Sequence, residues 1–175
     1  MAKSLSNAIA SLNIKSYKRG KEMSNGIKIV KRDGRTEPLN IDKIHFVVQE
    51  ACVGLAGVSS SQIEMNANLQ FYDGMTTDEI QEILIRSAND LISLDTPNYQ
   101  YAAAHLLSYS LNKQVFGCYE PITLREMINL NIERGVYDAE ILEKYTEEEI
   151  DRLDSYIHHK RDENFTYAGL RQVVD

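Results

Sequence analysis

Lys31 and Arg32 stand side by side just before an Asp33-Gly34 pair. Lys43 follows the run Asn40-Ile41-Asp42, and Lys113 lies late in an Ala- and Leu-rich stretch. Cations of this kind hold phosphate through charge-assisted hydrogen bonds. Lys43 has an added advantage of place. A helix starting after Asn40 presents free N–H groups and a dipole that already favour an anion. A hairpin folded over that helix start would bring Lys31 and Arg32 to the same spot.

Other arrangements that do chemistry are missing. The sequence has no GxxxxGK[ST] and no GxGxxG, so neither common phosphate loop is present. His45, His105, His158 and His159 have no Cys or acid at ligand spacing. The His158-His159 pair reads as solvated surface on a polar helix. Cys52 falls on the apolar side of its helix, where a free thiol packs as a small hydrophobe. Cys118 sits in a Gly-Cys-Tyr junction with no flanking base. The acidic stretch Glu147–Glu149 reads as a helix start, which favours negative charge, rather than as an acid–base pair.

These residues need elements to position them. Ile27 and Ile29 alternate with Lys28, and Asp33-Gly34 separates two extended runs, so the pattern predicts a hairpin at about 27–39. Asn40 caps a helix whose Ile44, Val47, Val48, Ala51 and Leu55 recur at helical spacing, ending near Gly54 or Gly57. A second helix runs from Ser59–Ser61 to about Tyr72, and Asp73-Gly74 makes a turn. Thr77 is read as the next N-cap, with Ile80 at the third helical position and therefore no capping-box acid. Ile80, Ile83, Leu84 and Leu91 give that helix its stripe. Residues 98–116 form a tightly packed helix closed by Gly117. Beyond Pro121, helices are expected at about 122–134 and 138–145, with a third capped by Thr146. The fold class is mainly α: a hairpin with four helices, then a helical appendix. Residues 1–25 read as a weakly ordered leader with a helical turn around Ala8–Leu12, and Met23 offers an alternative start.

The totals narrow the function classes. The 175 residues suffice for a real core. Acidic residues outnumber basic ones, 26 to 19, which argues against a general nucleic-acid binder but leaves room for one small anion. No apolar run reaches membrane-spanning length. Two distant cysteines point to a reducing, cytoplasmic setting.

The ordered series of segments resembles a known domain. Lys31-Arg32-Asp33-Gly34 and Asn40-Ile41-Asp42-Lys43-Ile44 are similar to the start of the ATP-cone. Phe71-Tyr72-Asp73-Gly74, Thr77, Ile80 and Pro97-Asn98-Tyr99-Gln100-Tyr101-Ala102-Ala103 continue the likeness. Tyr119-Glu120-Pro121 and Tyr145-Thr146-Glu147-Glu148-Glu149 resemble the segments C-terminal to the cone in class I ribonucleotide reductase large subunits. The likeness covers about residues 27–172.

The resemblance implies a β-hairpin lid on a four-helix bundle over residues 26–118, and the truncated helical start of the reductase body over 119–175. It implies an allosteric site for ATP or dATP, with Mg2+. Ile29, Lys31 and Arg32 would line the lid, and Glu37 and Asn40 would face the adenine side. Lys43 and Ile44 would lie under the nucleotide, and Thr77, Ile80 and Lys113 would complete the pocket. Gln81 stands where members inhibited by dATP often have His, which implies weaker ATP/dATP discrimination, since Gln cannot become cationic. The family's catalytic cysteines lie beyond this length, so the chain carries no chemistry alone. The implied partners are the rest of the large subunit, with its catalytic barrel, and the radical-generating small subunit. Ile122, Leu124, Met127 and Leu130 are expected to be exposed without that barrel. Two other readings are a nucleotide-independent helical assembly module and an ATP-cone regulatory protein. Regulators of that kind carry a zinc ribbon, and the cysteine spacing here provides none.

Overall fold

A computed structural model of the chain describes residues 26–174. The expectations for the leader, its helical turn and Met23 lie outside the described residues. Strands β1 (Lys28–Val30) and β2 (Thr36–Pro38) pair antiparallel, with Ile29 opposite Glu37. The turn between them is longer than a two-residue hairpin. Lys31 N donates to Arg35 O at 2.8 Å, Gly34 N donates to Lys31 O at 2.9 Å, and only Gly34 takes positive φ, at 81°. Asp33 instead accepts from Arg35 N through its side chain at 3.0 Å. A five-residue loop therefore replaces the tight turn, and glycine takes the one position that a Cβ disfavours.

The free edge of β1 decides where the hairpin goes. Val30 N donates to Met75 O at 2.9 Å, and Gly74 N donates to Lys28 O at 2.8 Å. The Asp73 carboxylate accepts from Lys28 N at 2.7 Å. The hairpin is thus stitched to the connector that leads into the third helix, with Met75 fully buried beneath it.

Four helices come next: α1 (Ile41–Cys52), α2 (Ser60–Asn68), α3 (Thr77–Asn89) and α4 (Tyr99–Phe116). Asn40 caps α1 as its sequence predicts, accepting from Lys43 N at 3.0 Å. Two boundaries shift. Helix α1 stops at Cys52, ahead of Gly54 and Gly57, and α2 stops at Asn68 rather than near Tyr72. The α3 cap is Thr76, not Thr77. Thr76 Oγ1 accepts from Glu79 N at 3.1 Å, while the Glu79 carboxylate accepts from Thr76 N at 2.7 Å. Moving the cap by one residue puts Glu79 at the third position and completes the capping box that the Thr77 reading lacked.

Helix α4 is the centre of the bundle, packing on α1 and most extensively on α3. Ala102, Ala103 and Ala104 are all buried there, with Leu106 and Leu107 beside them. Small side chains allow neighbouring helices close on several sides, so α4 buries residues around most of its circumference. Ile29, Val48, Ile63, Met75, Leu84 and Ile85 complete one continuous core. Each such side chain contributes about 1.5–3 kcal/mol through burial.

The remaining helices are α5 (Leu124–Glu133), α6 (Glu140–Lys144), α7 (Glu147–Asp154), a 3-10 turn (His159–Asn164) and α8 (Tyr167–Val174). Helices α5 and α7 pack on each other through Ile128 and Ile150. Arg125 bridges to Glu147 at 2.8 Å and to Asp151 at 3.1 Å. The chain then returns to the bundle. Helix α8 lies on α4, Leu170 joins the main core, and Arg171 reaches Glu82 of α3 at 3.2 Å. Ile122, Leu124, Met127 and Leu130 are half-buried rather than exposed, because α5 finds α7 as its partner. The apolar surface of this segment is elsewhere, at Val136, Tyr145, Leu153 and Tyr156. Among the described residues, no helix is long and apolar enough to cross a membrane.

Candidate functional site

Stitching the hairpin to the α3 connector opens a cleft of about 340 Å³ between three elements. The β1–β2 loop supplies Lys31, Arg32, Asp33 and Arg35. The first turns of α3 supply Thr77 and Gln81. The end of α4 supplies Ser110 and Lys113, and Tyr119 closes the wall just beyond it. The volume falls within the range of small-molecule sites.

Four cations line the cleft against one carboxylate, Asp33. Three of the cations are engaged. Lys31 Nζ contacts Glu37 at 2.9 Å, and Arg32 contacts the Asp78 carboxylate through Nε at 2.8 Å and Nη2 at 2.7 Å. Arg35 contacts Asp33 at 2.6 Å. The hydrogen bond from Lys31, helped by the charges of Lys43 and Arg35, holds the Glu37 carboxyl below the usual range. The bonds from Arg35 do the same for Asp33. Lys113 differs. Among the described residues, no carboxylate pairs with it, and its ammonium sits 4.9 Å from the centre of the Tyr119 ring. An aromatic face attracts a cation without neutralising it.

The cleft gathers five of the eleven residues singled out in the sequence: Lys31, Arg32, Thr77, Gln81 and Lys113. Gln81 is fixed, its side-chain amide donating to Leu106 O of α4 at 2.9 Å. The other six do not line it. Ile29, Ile44 and Ile80 are buried in the core. Glu37 holds Lys31, Asn40 caps α1, and Lys43 is exposed in the first turn of α1. The hairpin sets this division: Arg32 meets the start of α3 through Asp78, whereas Lys31 turns to Glu37, whose carboxyl also feels the Lys43 charge at the start of α1.

Four lining residues escape sequence reasoning. Asp33 and Arg35 belong to the same loop as Lys31 and could be found from it. Ser110 lies one helical turn before Lys113, the spacing that puts two side chains on one face. Tyr119 has no local signal, since it reaches the cleft only because the chain turns at Gly117, with φ 79°.

The other reactive groups lie apart. The expectation that no histidine pairs with an acid is corrected: His45 pairs with Glu64 across α1 and α2 at 2.8 Å, and His159 contacts Asp162, three residues on, at 3.3 Å. His158 and His159 sit at a 3-10 turn rather than on an α-helix. The ring nitrogens of His105 face Ala51 O at 2.9 Å and Glu163 O at 3.1 Å. Burial, and then the nearby Glu64 charge, pushes the Cys52 thiol up to about 11. Among the described residues, no group of three or more His, Cys, Asp or Glu could hold a metal ion.

Comparison with known proteins fits this geometry. The ATP cone domain family matches residues 27–114, which take in the hairpin and α1–α4 up to Gln114. The chain is 48% identical over 151 residues to ribonucleoside-diphosphate reductase 1 subunit alpha of Salmonella typhimurium, and 46% identical to that of Escherichia coli. Each of these alignments covers 86% of the chain and 20% of the relative. The ribonucleoside-diphosphate reductase subunit alpha of Enterobacteria phage T4 is 41% identical over 151 residues, 85% of the chain and 20% of the relative. The chain therefore spans about a fifth of the length of the curated relatives it matches. The matched span, the hairpin stitched to a helical bundle and the cationic cleft between them agree: the chain belongs to the ATP-cone family.

Proposed function

We propose that this chain is the allosteric ATP/dATP-sensing part of a ribonucleoside-diphosphate reductase large subunit, acting in the cytoplasm. The observation that carries this reading is the cleft: four cations converge on it, and its one lining carboxylate is already paired. Lys31, Arg32 and Lys113 hold the phosphates, and the start of α3 adds the favourable end of a helix dipole beside Thr77. The Arg32–Asp78 and Lys31–Glu37 pairs are partly exposed, so exchanging a carboxylate for a phosphate costs little. Gln81 offers an amide to the ligand, and Ile29, Ile44 and Ile80, buried in the core, anchor the elements that carry the site. Glu37, Asn40 and Lys43 flank the cleft on the α1 side, within reach of a ligand larger than the phosphates alone. Mg2+ enters with the triphosphate, as this ion keeps much of its shell and leans on phosphate oxygens.

Residues 26–118 form the sensor, and 119–175 begin the body that carries the signal to the catalytic barrel and to the radical-generating subunit. Calorimetric titration of the purified chain with ATP, dATP and GTP tests the reading. Saturable binding of adenine nucleotides is expected, with loss in Lys113→Ala while the helical circular-dichroism signal persists. A folded chain that takes up none of the three nucleotides refutes it.

A further inference from the structure

Tyr119 lies outside the span that the ATP-cone family matches, yet its ring forms a wall of the cleft. It stands in the connector between α4 and α5, two residues past the glycine that ends α4. Three contacts fix it there. Its carbonyl accepts from Asn112 Nδ2 at 2.9 Å. Its ring meets Tyr109 edge to face, with centres 6.4 Å apart and planes at 79°. Its face carries the Lys113 ammonium.

Lys113 is the one cleft cation without a carboxylate partner among the described residues. A lysine stem has four rotatable bonds, and a free ammonium at a helix end samples many directions. Holding it over an aromatic face removes much of that freedom before a ligand arrives, and preorganisation of this kind appears as affinity. The ring does so without spending the charge, which a carboxylate would.

We propose that Tyr119 is a positioning residue for the effector site: its ring holds Lys113 toward the cleft, and through it the α4–α5 connector becomes part of the nucleotide sensor. This rests on the nucleotide reading of the cleft. The ligand class is a polyanionic nucleotide, and the contribution is to phosphate rather than to base. Coupling is reciprocal, so a nucleotide that fixes Lys113 also restrains the connector.

The test uses three variants of the full chain and calorimetry with ATP. Tyr119→Phe keeps an aromatic face and is expected to bind like the parent. Tyr119→Leu keeps bulk without that face and is expected to raise Kd about two- to fivefold, the span of a cation–π contact at an exposed site. Tyr119 as a residue is 45% exposed, so thermal unfolding should barely move in either. The chain has no tryptophan, so Tyr119→Trp gives a single reporter whose emission should change saturably with ATP. Parent-like Kd in Tyr119→Leu, or equal weakening in Phe and Leu, overturns the proposal. So does an emission that stays flat while calorimetry shows ATP binding. If the folded parent itself binds no nucleotide, the reading of the cleft and this proposal fall together.

Discussion

Replacing Asp78 by Asn should make the protein less stable and yet a better nucleotide binder. Asp78 sits in the first turn of α3 and holds Arg32 through contacts of 2.7 and 2.8 Å. The side chains are 34% and 55% exposed, so the pair is largely screened and contributes about 0–1 kcal/mol. Loss of negative charge at a helix start costs about 0.3–1 kcal/mol more. Together these lower stability by about 0.3–2 kcal/mol, or about 1–8 °C in Tm for a chain of this size. Binding moves the other way. Arg32 no longer has to leave a carboxylate to meet phosphate, and a negative charge beside the phosphates is gone. About two- to tenfold tighter ATP binding is expected, an effect that shrinks with salt. Circular dichroism during heating reads the first quantity and calorimetry reads the second. Weaker ATP binding in a folded Asp78→Asn chain refutes the reasoning, for Asp78 would then be a ligand, acting through Mg2+, rather than a competitor.

Leu170→Ala should cost about 2–5 kcal/mol if α8 is part of the cone's cooperative unit, since the side chain is buried in the main core. Hydrogen exchange should then show α8 and α4 losing protection together, and loss confined to α8 would contradict a shared core. The capping carboxylates Glu79, Glu126 and Glu149 are all held below the usual range by backbone hydrogen bonds from Thr76, Thr123 and Thr146. Their folded forms are the depressed ones, so the caps stabilise fully above the ordinary carboxylate range and fade as pH falls through the lower folded values. Carbon-detected NMR titration should find these three among the most acidic glutamates, and ordinary midpoints would disprove the caps. With its thiol near 11, Cys52 is about a thousandth thiolate at pH 8, so iodoacetamide followed by peptide mass spectrometry should label Cys118 first. Preferential labelling of Cys52 would show that its burial is wrong.

Local chemistry makes much of this fold legible. Asn40 and Thr146 cap the helices that their positions predict, because a short polar side chain before an apolar repeat satisfies N–H groups that nothing else reaches. The apolar spacing from Ile44 to Ala51 places one helix face correctly. The cap of α3 lies one residue from its expected place because Thr76 and Thr77 are both threonines, and only the backbone decides which one leaves the helix. Lys31, Arg32 and Lys113 are legible in the sequence as cations of a type that suits an anion. Their meeting place is not. It depends on β1 bonding to Met75 and Gly74, backbone contacts that carry no side-chain signature. For the same reason Lys43, well placed by sequence at a helix start, lies outside the cleft, while Tyr119 lies inside it. The return of α8 onto α4 is equally hidden, since the apolar face of a short helix does not name its partner. The sequence by itself determined most of the helical segments, the caps at Asn40 and Thr146 and where the cations stand along the chain, because those depend on neighbours a few positions away. The tertiary structure alone decided which of these residues share one cleft, because that depends on contacts between segments far apart in the chain.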